Sequence, residues 1–340
     1  MNQTLMKKLA ITATVFALIV VLLGAFTRLS HAGLGCPDWP GCYGFSHIIT
    51  ENSDIQVANE AFPTQPYQFE KAWPEMVHRY FAGTLGLLVL ALALLSLKAS
   101  NRAVRRHSFS LLILVIFQAA LGMWTVTMKL HPGIVMAHLM GGFATLVLLV
   151  SLSLRYAVNF ESPFDLRLQM QYRSFALFAL VILTIQVMLG GWTSANYAAT
   201  VCYELPICQG NWMSESDFIS GFTIWGQGAV NYEFGILDSA GRIAIHVSHR
   251  IGAMITALAL GLLSYRLISK SGNAVLKKIG HSLAGLLFVQ IVLGVFNITF
   301  QLPLFNAVAH NGVGALLMAT LVMLLTLLYL PGTISPREDV

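Results

Sequence analysis

The sequence predicts an all-α membrane protein whose eight transmembrane helices form two four-helix bundles related by a pseudo-twofold axis. Three observations carry this. The 340 residues are 56% hydrophobic and only 10% charged, which excludes an ordinary soluble domain. Apolar runs of about 20 residues, the length that crosses a hydrocarbon core, recur over 9–28, 76–98, 108–128, 134–155, 174–195, 242–268, 280–300 and 308–330. The second half of the chain repeats the first.

The first run follows Lys7 and Lys8. It is longer than a usual signal core, and no small-x-small cleavage site follows Phe26, so it is expected to stay as a helix. A long connection over 29–74 leads to the second run, which opens on His78-Arg79. Lys98, Arg102, Arg105 and Arg106 separate it from the third. Arg155, Arg167 and Arg173 flank the next basic connection, and Arg266, Lys270, Lys277 and Lys278 the last. The alternate connections, including a second long one over 196–241, hold Asp38, Glu51, Asp54, Glu60, Glu70, Glu204, Glu215, Asp217, Glu233 and Asp238. Basic connections stay inside, so both termini are expected in the cytoplasm. The net charge of +5 is this bias, and no nucleic-acid partner is expected. Trp39, Trp73, Trp124, Trp192, Trp212 and Trp225 all fall on the outer side, as interfacial anchors would.

The repeat extends along both halves. Leu23-Gly24-Ala25-Phe26-Thr27 matches Leu189-Gly190-Gly191-Trp192-Thr193, and Gln118-Ala119-Ala120-Leu121-Gly122 matches Gln290-Ile291-Val292-Leu293-Gly294. Two units are expected, 1–160 and 170–332, with the same topology and an axis along the membrane normal.

Histidines recur at matching places. His78-Arg79 pairs with His249-Arg250, and His138 with His310. All four lie near the outer ends of their helices. An imidazole in a bilayer helix is costly, and one alone would read as a helix–helix hydrogen bond. Four in register read as two bis-histidine sites for heme iron. Ala82, Gly83 and Gly86, Gly252 and Ala253, Gly141 and Gly142, and Gly312 and Gly314 follow them and would leave room for a porphyrin face. Arg79 and Arg250 could snorkel outward to meet heme propionates, or simply anchor helix ends. Zinc fits less well, since it asks for four ligands around one ion. His31, His47, His131, His107 and His281 lie at edges and loops and are expected to be structural.

The halves differ at one point. Glu75 precedes His78 by three residues, sharing its helix face, while His246 stands at that place before His249. A carboxylate there is either solvated at the interface or a proton acceptor. The second reading makes the first site the one for substrate and the second the one for a permanent heme. Cys36 and Cys42, and Cys202 and Cys208, are spaced alike on the outer side, where disulfides persist. Each pair is a structural staple or, for the first pair, a thiol–disulfide relay.

These residues together resemble the heme A synthase family. The resemblance runs from Gly24-Ala25-Phe26-Thr27-Arg28 to His310 and rests on Glu75-Met76-Val77-His78-Arg79, Ser248-His249-Arg250, His138 and both cysteine pairs. It implies heme b as cofactor on His249 and His310, substrate heme O on His78 and His138, and a catalytic Glu75. It implies oxidation of the C8 methyl group of heme O to a formyl group by successive hydroxylations, in a bacterial inner membrane with the heme sites toward the outer face. Expected partners are heme O, the lipid bilayer, an electron donor that the residues do not identify and an upstream heme O synthase; self-association into a homo-oligomer is left open. The alternatives are a di-heme quinol-linked cytochrome, a thiol–quinone oxidoreductase on the outer cysteines, and a heme transporter.

Overall fold

A computed structural model describes residues 3–226 and 228–331. In chain order the helices are α1 (Gln3–Leu29), α2 (Asn52–Ala61), α3 (Phe69–Ser96), α4 (Arg102–Thr127), α5 (Pro132–Ala157), α6 (Leu166–Ala195), α7 (Trp212–Glu215), α8 (Phe218–Gly221), α9 (Ser239–Lys270), α10 (Ala274–Thr299) and α11 (Leu304–Tyr329). Among the described residues, eight of these (α1, α3, α4, α5, α6, α9, α10 and α11) are long and apolar enough to cross a membrane. The chain is thus an all-helical integral membrane protein. Leu87, Ile113 and Phe288, each at least 68% exposed, face outward where lipid would cover them.

The helices outrun the apolar runs. α1 begins at Gln3 rather than 9, and α3 at Phe69 rather than 76. Hydropathy measures the hydrocarbon crossing, whereas the helix continues until its end groups are capped. Asn101 accepts from the Ala103 N–H at 2.8 Å, Asp165 from Leu168 at 2.8 Å, Asp238 from Gly241 at 2.9 Å and Asn273 from Val275 at 2.9 Å. Pro132 opens α5, where a missing N–H costs nothing.

α1 packs against α3 and α5, α3 against α4, and α4 against α5. α6 packs against α9 and α11, α9 against α10, and α10 against α11. Across the middle, α11 meets α1 and α5, and α5 meets α6. The most apolar window of α11 is 61% buried, against 17% for α4, so α11 lies inside and α4 outside. Small residues set the closest approaches. Ala10, Ala13, Ala17, Val21 and Ala25 form the buried stripe of α1, recurring at helical spacing. A Cβ on Gly312 of α11 would lie 2.6 Å from Leu22 of α1.

Both long loops gather at the end of the molecule where α3, α5, α9 and α11 begin. Each is closed by a disulfide, Cys36–Cys42 and Cys202–Cys208. Trp192 departs from the expectation of an interfacial anchor. It is 3% exposed, and its indole N–H donates to the Gly221 carbonyl at 2.8 Å, pinning α8 over the bundle. Gly35 lets the first loop lie on α3, since a Cβ there would be 2.2 Å from the Lys71 carbonyl oxygen. Gly35→Ala is therefore expected to lift this loop, lowering the thermal midpoint and speeding reduction of Cys36–Cys42. Unchanged melting and reduction rates would show that the loop is not seated this way.

Candidate functional site

Each of the four repeated histidines stands within about three turns of the start of its helix: His78 on α3, His138 on α5, His249 on α9 and His310 on α11. Each ring faces a glycine on the neighbouring helix. A Cβ on Gly24, Gly122, Gly190 or Gly294 would lie 3.0, 3.4, 3.1 or 3.2 Å from Cε1 of His78, His138, His249 or His310. These glycines, on α1, α4, α6 and α10, let an imidazole press against a bare helix backbone. The rings of His78 and His138 meet with centroids 6.4 Å apart and planes at 87°. His249 and His310 are close enough to interact electrostatically.

The His78–His138 separation fits two ligands on opposite sides of a planar metal cofactor. Two metal–nitrogen bonds of about 2 Å each leave, within 6.4 Å, the span of two imidazole half-rings. The Nδ1 atoms of His78, His138 and His310 are buried without a hydrogen-bond partner, a cost that a ligand or ordered water relieves. Among the described residues, no group of three or more His, Cys, Asp or Glu converges as a bare ion would require. A porphyrin brings its own in-plane donors and needs two from the protein.

Of the seven glycines expected to make porphyrin space after the histidines, three are filled. A Cβ on Gly141 would strike Gln118 Nε2 at 1.7 Å, one on Gly252 would meet Gln186 Oε1 at 2.3 Å, and Gly312 faces Leu22. Gly83 has nothing within 4 Å, and a Cβ on Gly86, Gly142 or Gly314 would make only ordinary contacts, at 3.8, 4.0 and 3.6 Å. Sequence spacing within one helix cannot show which neighbour fills its gaps.

Glu75 is 5% exposed, so the solvated interfacial reading does not hold. Its Oε1 receives Arg79 Nη2 at 2.5 Å, and its Oε2 accepts from the Cys36 backbone N–H at 3.0 Å. The carboxylate thus joins α3 to the first disulfide loop. Arg79 does not snorkel freely either. Its Nη1 donates to the carbonyls of Asp38 at 3.0 Å, Pro40 at 3.2 Å, and Gly41. Arg250, 6% exposed, does the same for the second loop, donating to Cys202 at 2.5 Å, Ile207 at 2.6 Å, and Glu204. Its Nε also donates to His246 Nε2 at 3.2 Å. His246 therefore takes the place of Glu75 beside the second arginine. Asp38 accepts from the N–H groups of Tyr43 and Gly44 at 2.6 and 2.8 Å, shaping the first loop. Burial pushes the Tyr43 phenol up to about 12, so its hydroxyl keeps its proton and donates to the Pro66 carbonyl at 3.2 Å.

The other histidines lie apart from both pairs. His31 stacks on Tyr197 with ring centroids 5.7 Å apart, and His131 on Trp225 at 4.4 Å. His47 is 3.7 Å from Asp54. His107 and His281 bond the carbonyls of Leu148 and Lys277 at 3.0 and 2.8 Å. Sequence reasoning missed Gln118, Gln186 and Gln290 as neighbours of the ring sites, although Gln-x-x-Leu-Gly recurs at 118–122, 186–190 and 290–294.

The COX15-CtaA family, described as cytochrome oxidase assembly protein, matches residues 7–322. The chain belongs to this family. The heme A synthase of Shewanella oneidensis is 49% identical over 308 residues, which is 91% of this chain and 92% of the relative. The heme A synthase of Caulobacter vibrioides is 27% identical over 333 residues, 91% of each chain. That of Shouchella clausii is 23% identical over 338 residues, 94% of this chain and 97% of the relative. Similarity therefore spans both histidine pairs and both long loops.

Arg250 satisfies three loop carbonyls at once. Arg250→Met should leave them unpaired at a cost of about 1–3 kcal/mol each if they stay dry. The expected result is a lower thermal midpoint and faster proteolysis between Cys202 and Cys208. Wild-type melting and cleavage would show that the guanidinium does not hold this loop.

Proposed function

We propose that this chain is a heme A synthase, oxidising the C8 methyl group of heme O to a formyl group and so making heme A for cytochrome oxidase. Membership of the cytochrome oxidase assembly family and the 49% identity to a heme A synthase support the activity. The observation that carries the residue assignment is an asymmetry between repeated sites: buried Glu75 stands beside Arg79, and His246 beside Arg250. A pure electron-transfer protein gives Glu75 no role beyond holding the first loop.

In this reading residues 1–160 and 170–332 are two four-helix bundles. The matching pairs α1/α6, α3/α9, α4/α10 and α5/α11 are related by a pseudo-twofold axis, which the reciprocal contacts α1–α11 and α5–α6 support. Both termini lie in the cytoplasm of a bacterium, and the loop end faces the outer side of its inner membrane, a reading that the distribution of Lys and Arg supports.

His78 and His138 hold the iron of heme O, which orients the methyl-bearing edge of the substrate. His249 and His310 hold heme b, which supplies one-electron transfer when bound. Arg79 and Arg250 follow their histidines at the loop end, and their guanidiniums hold the loops against the helices that carry these ligands. Glu75 lies one turn from His78 and takes a proton on a carboxylate oxygen during oxidation. The Cys36 N–H and Arg79 hold that carboxylate in place, and the first loop excludes water from it. Heme O comes from a heme O synthase, and electrons come from a donor outside the chain.

Pigment extraction tests the function. Purified protein is expected to yield heme B together with heme A or hydroxylated heme O; heme B alone would contradict the synthase reading. Glu75→Ala should retain heme and lose conversion, and wild-type amounts of heme A from that variant would remove Glu75 from the mechanism. His249→Ala or His310→Ala should lose the low-spin spectrum of heme b. An unchanged visible spectrum would refute these ligands.

A further inference from the structure

The helices facing the histidines carry a repeated segment with one exception. Gln118, Gln186 and Gln290 each stand four residues before the glycine that faces a ring, and Val20 stands at the fourth place. One turn of helix puts residues four apart on one face, so each side chain points toward its histidine's helix. Glycines there admit the carboxamides. Gln118 rests over Gly141, Gln186 over Gly252, and Gln290 is 3.6 Å from a Cβ on Gly314. Opposite Val20 the third residue after His78 is Phe81, whose ring stacks on Phe16 at 5.9 Å. Gln118 and Gln186 face the glycine three residues after a histidine and Gln290 the glycine four after, whereas near Val20 those two places hold Phe81 and Ala82.

The contacts divide by site. In the second site both rings are held by a carboxamide. Gln186 Nε2 is 3.0 Å from His249 Nδ1 and also donates to the His249 carbonyl at 3.0 Å. Gln290 Nε2 is 3.2 Å from His310 Nε2. In the first site neither ring is held this way. His78 meets the backbone of Val20 and His138 the backbone of Gln118, whose Nε2 stays buried and unpartnered. Oε1 of Gln186 and of Gln290 is also buried without a partner. A ligating imidazole carries a proton on its far nitrogen, which needs an acceptor that also fixes the ring's orientation. A carboxamide turned with its oxygen inward supplies one.

We propose that Gln186 and Gln290 are positioning residues that lock the imidazoles of His249 and His310, and that the missing lock on His78 and His138 makes the first site the one that exchanges its heme. This rests on the reading of the four histidines as iron ligands. It gives a reason, independent of Glu75, for the permanent heme to sit in the second half.

The test uses full-length purified protein with its hemes. Gln186→Leu and Gln290→Leu keep side-chain volume and remove the hydrogen bond. Each should release heme b to excess apomyoglobin about tenfold faster, the factor carried by one net hydrogen bond. Each should also shift the low-spin electron paramagnetic resonance g values of that heme. Unchanged release and unchanged g values in both variants would overturn the proposal. If the leucine variants purify without heme, Gln186→Glu decides: a bound low-spin heme with a lowered midpoint potential supports a hydrogen bond to the ring, and no bound heme or an unshifted potential overturns it. Val20→Gln combined with Phe81→Gly should slow release from the first site, and unaltered release there counts against the proposal. His249→Ala separates the two claims. If it keeps the low-spin signal, the ligand reading itself fails; if it loses that signal while the glutamine variants behave as wild type, only this inference fails.

Discussion

An imidazole buried among apolar helices has two nitrogens to satisfy and no water to satisfy them. Four such rings lie in this protein at one end of the membrane-crossing helices, and much of the local architecture follows from that. The neighbouring helix must come close, so it carries glycine at 24, 122, 190 and 294. The rings must face a partner, so they are arranged in pairs, with His78 and His138 6.4 Å apart. Nitrogens that find no protein partner, such as Nδ1 of His138 and of His310, are tolerable where a ligand or water completes the set.

A second layer of the site comes from the loops. Arg79 and Arg250 bind main-chain carbonyls of the segments closed by Cys36–Cys42 and Cys202–Cys208. Each disulfide loop is thereby tied to the helix residue that follows a candidate ligand. In the first half the tie also includes Glu75, through Arg79 and the Cys36 N–H. This links the disulfide staple to the carboxylate: loosening the loop would remove a hydrogen bond from the group proposed to take a proton. In the second half the same place holds His246 on Arg250, so the loop is fixed without a carboxylate. Beside the two arginines the halves thus differ by one exchanged side chain, Glu75 against His246.

Much of this was legible in the residues because the bilayer imposes a long apolar period and because the repeat doubles each signal. The eight crossings, the four histidines and the contrast of Glu75 with His246 all come from that. Helix ends were less legible, since caps such as Asn101 and Asp165 lie beyond the apolar runs. The destinations of Arg79 and Arg250 were not legible at all. A backbone carbonyl has no sequence signature, and an arginine at a helix end reads equally as an anchor. Trp192 reads as interfacial by type and position, yet α8 covers it. The glutamines had a signal in their spacing, but the faces they meet belong to other helices, which only the packing reveals.

The central claim is that two pairs of imidazoles each clasp an iron porphyrin at the loop end of the bundle. An electron cryomicroscopy map of the purified protein in a lipid disc tests it most directly. The account predicts flat, iron-centred density between His78 and His138 and again between His249 and His310. Ring pairs bridged by water or touching one another, with porphyrin density elsewhere or absent from heme-replete protein, would contradict it.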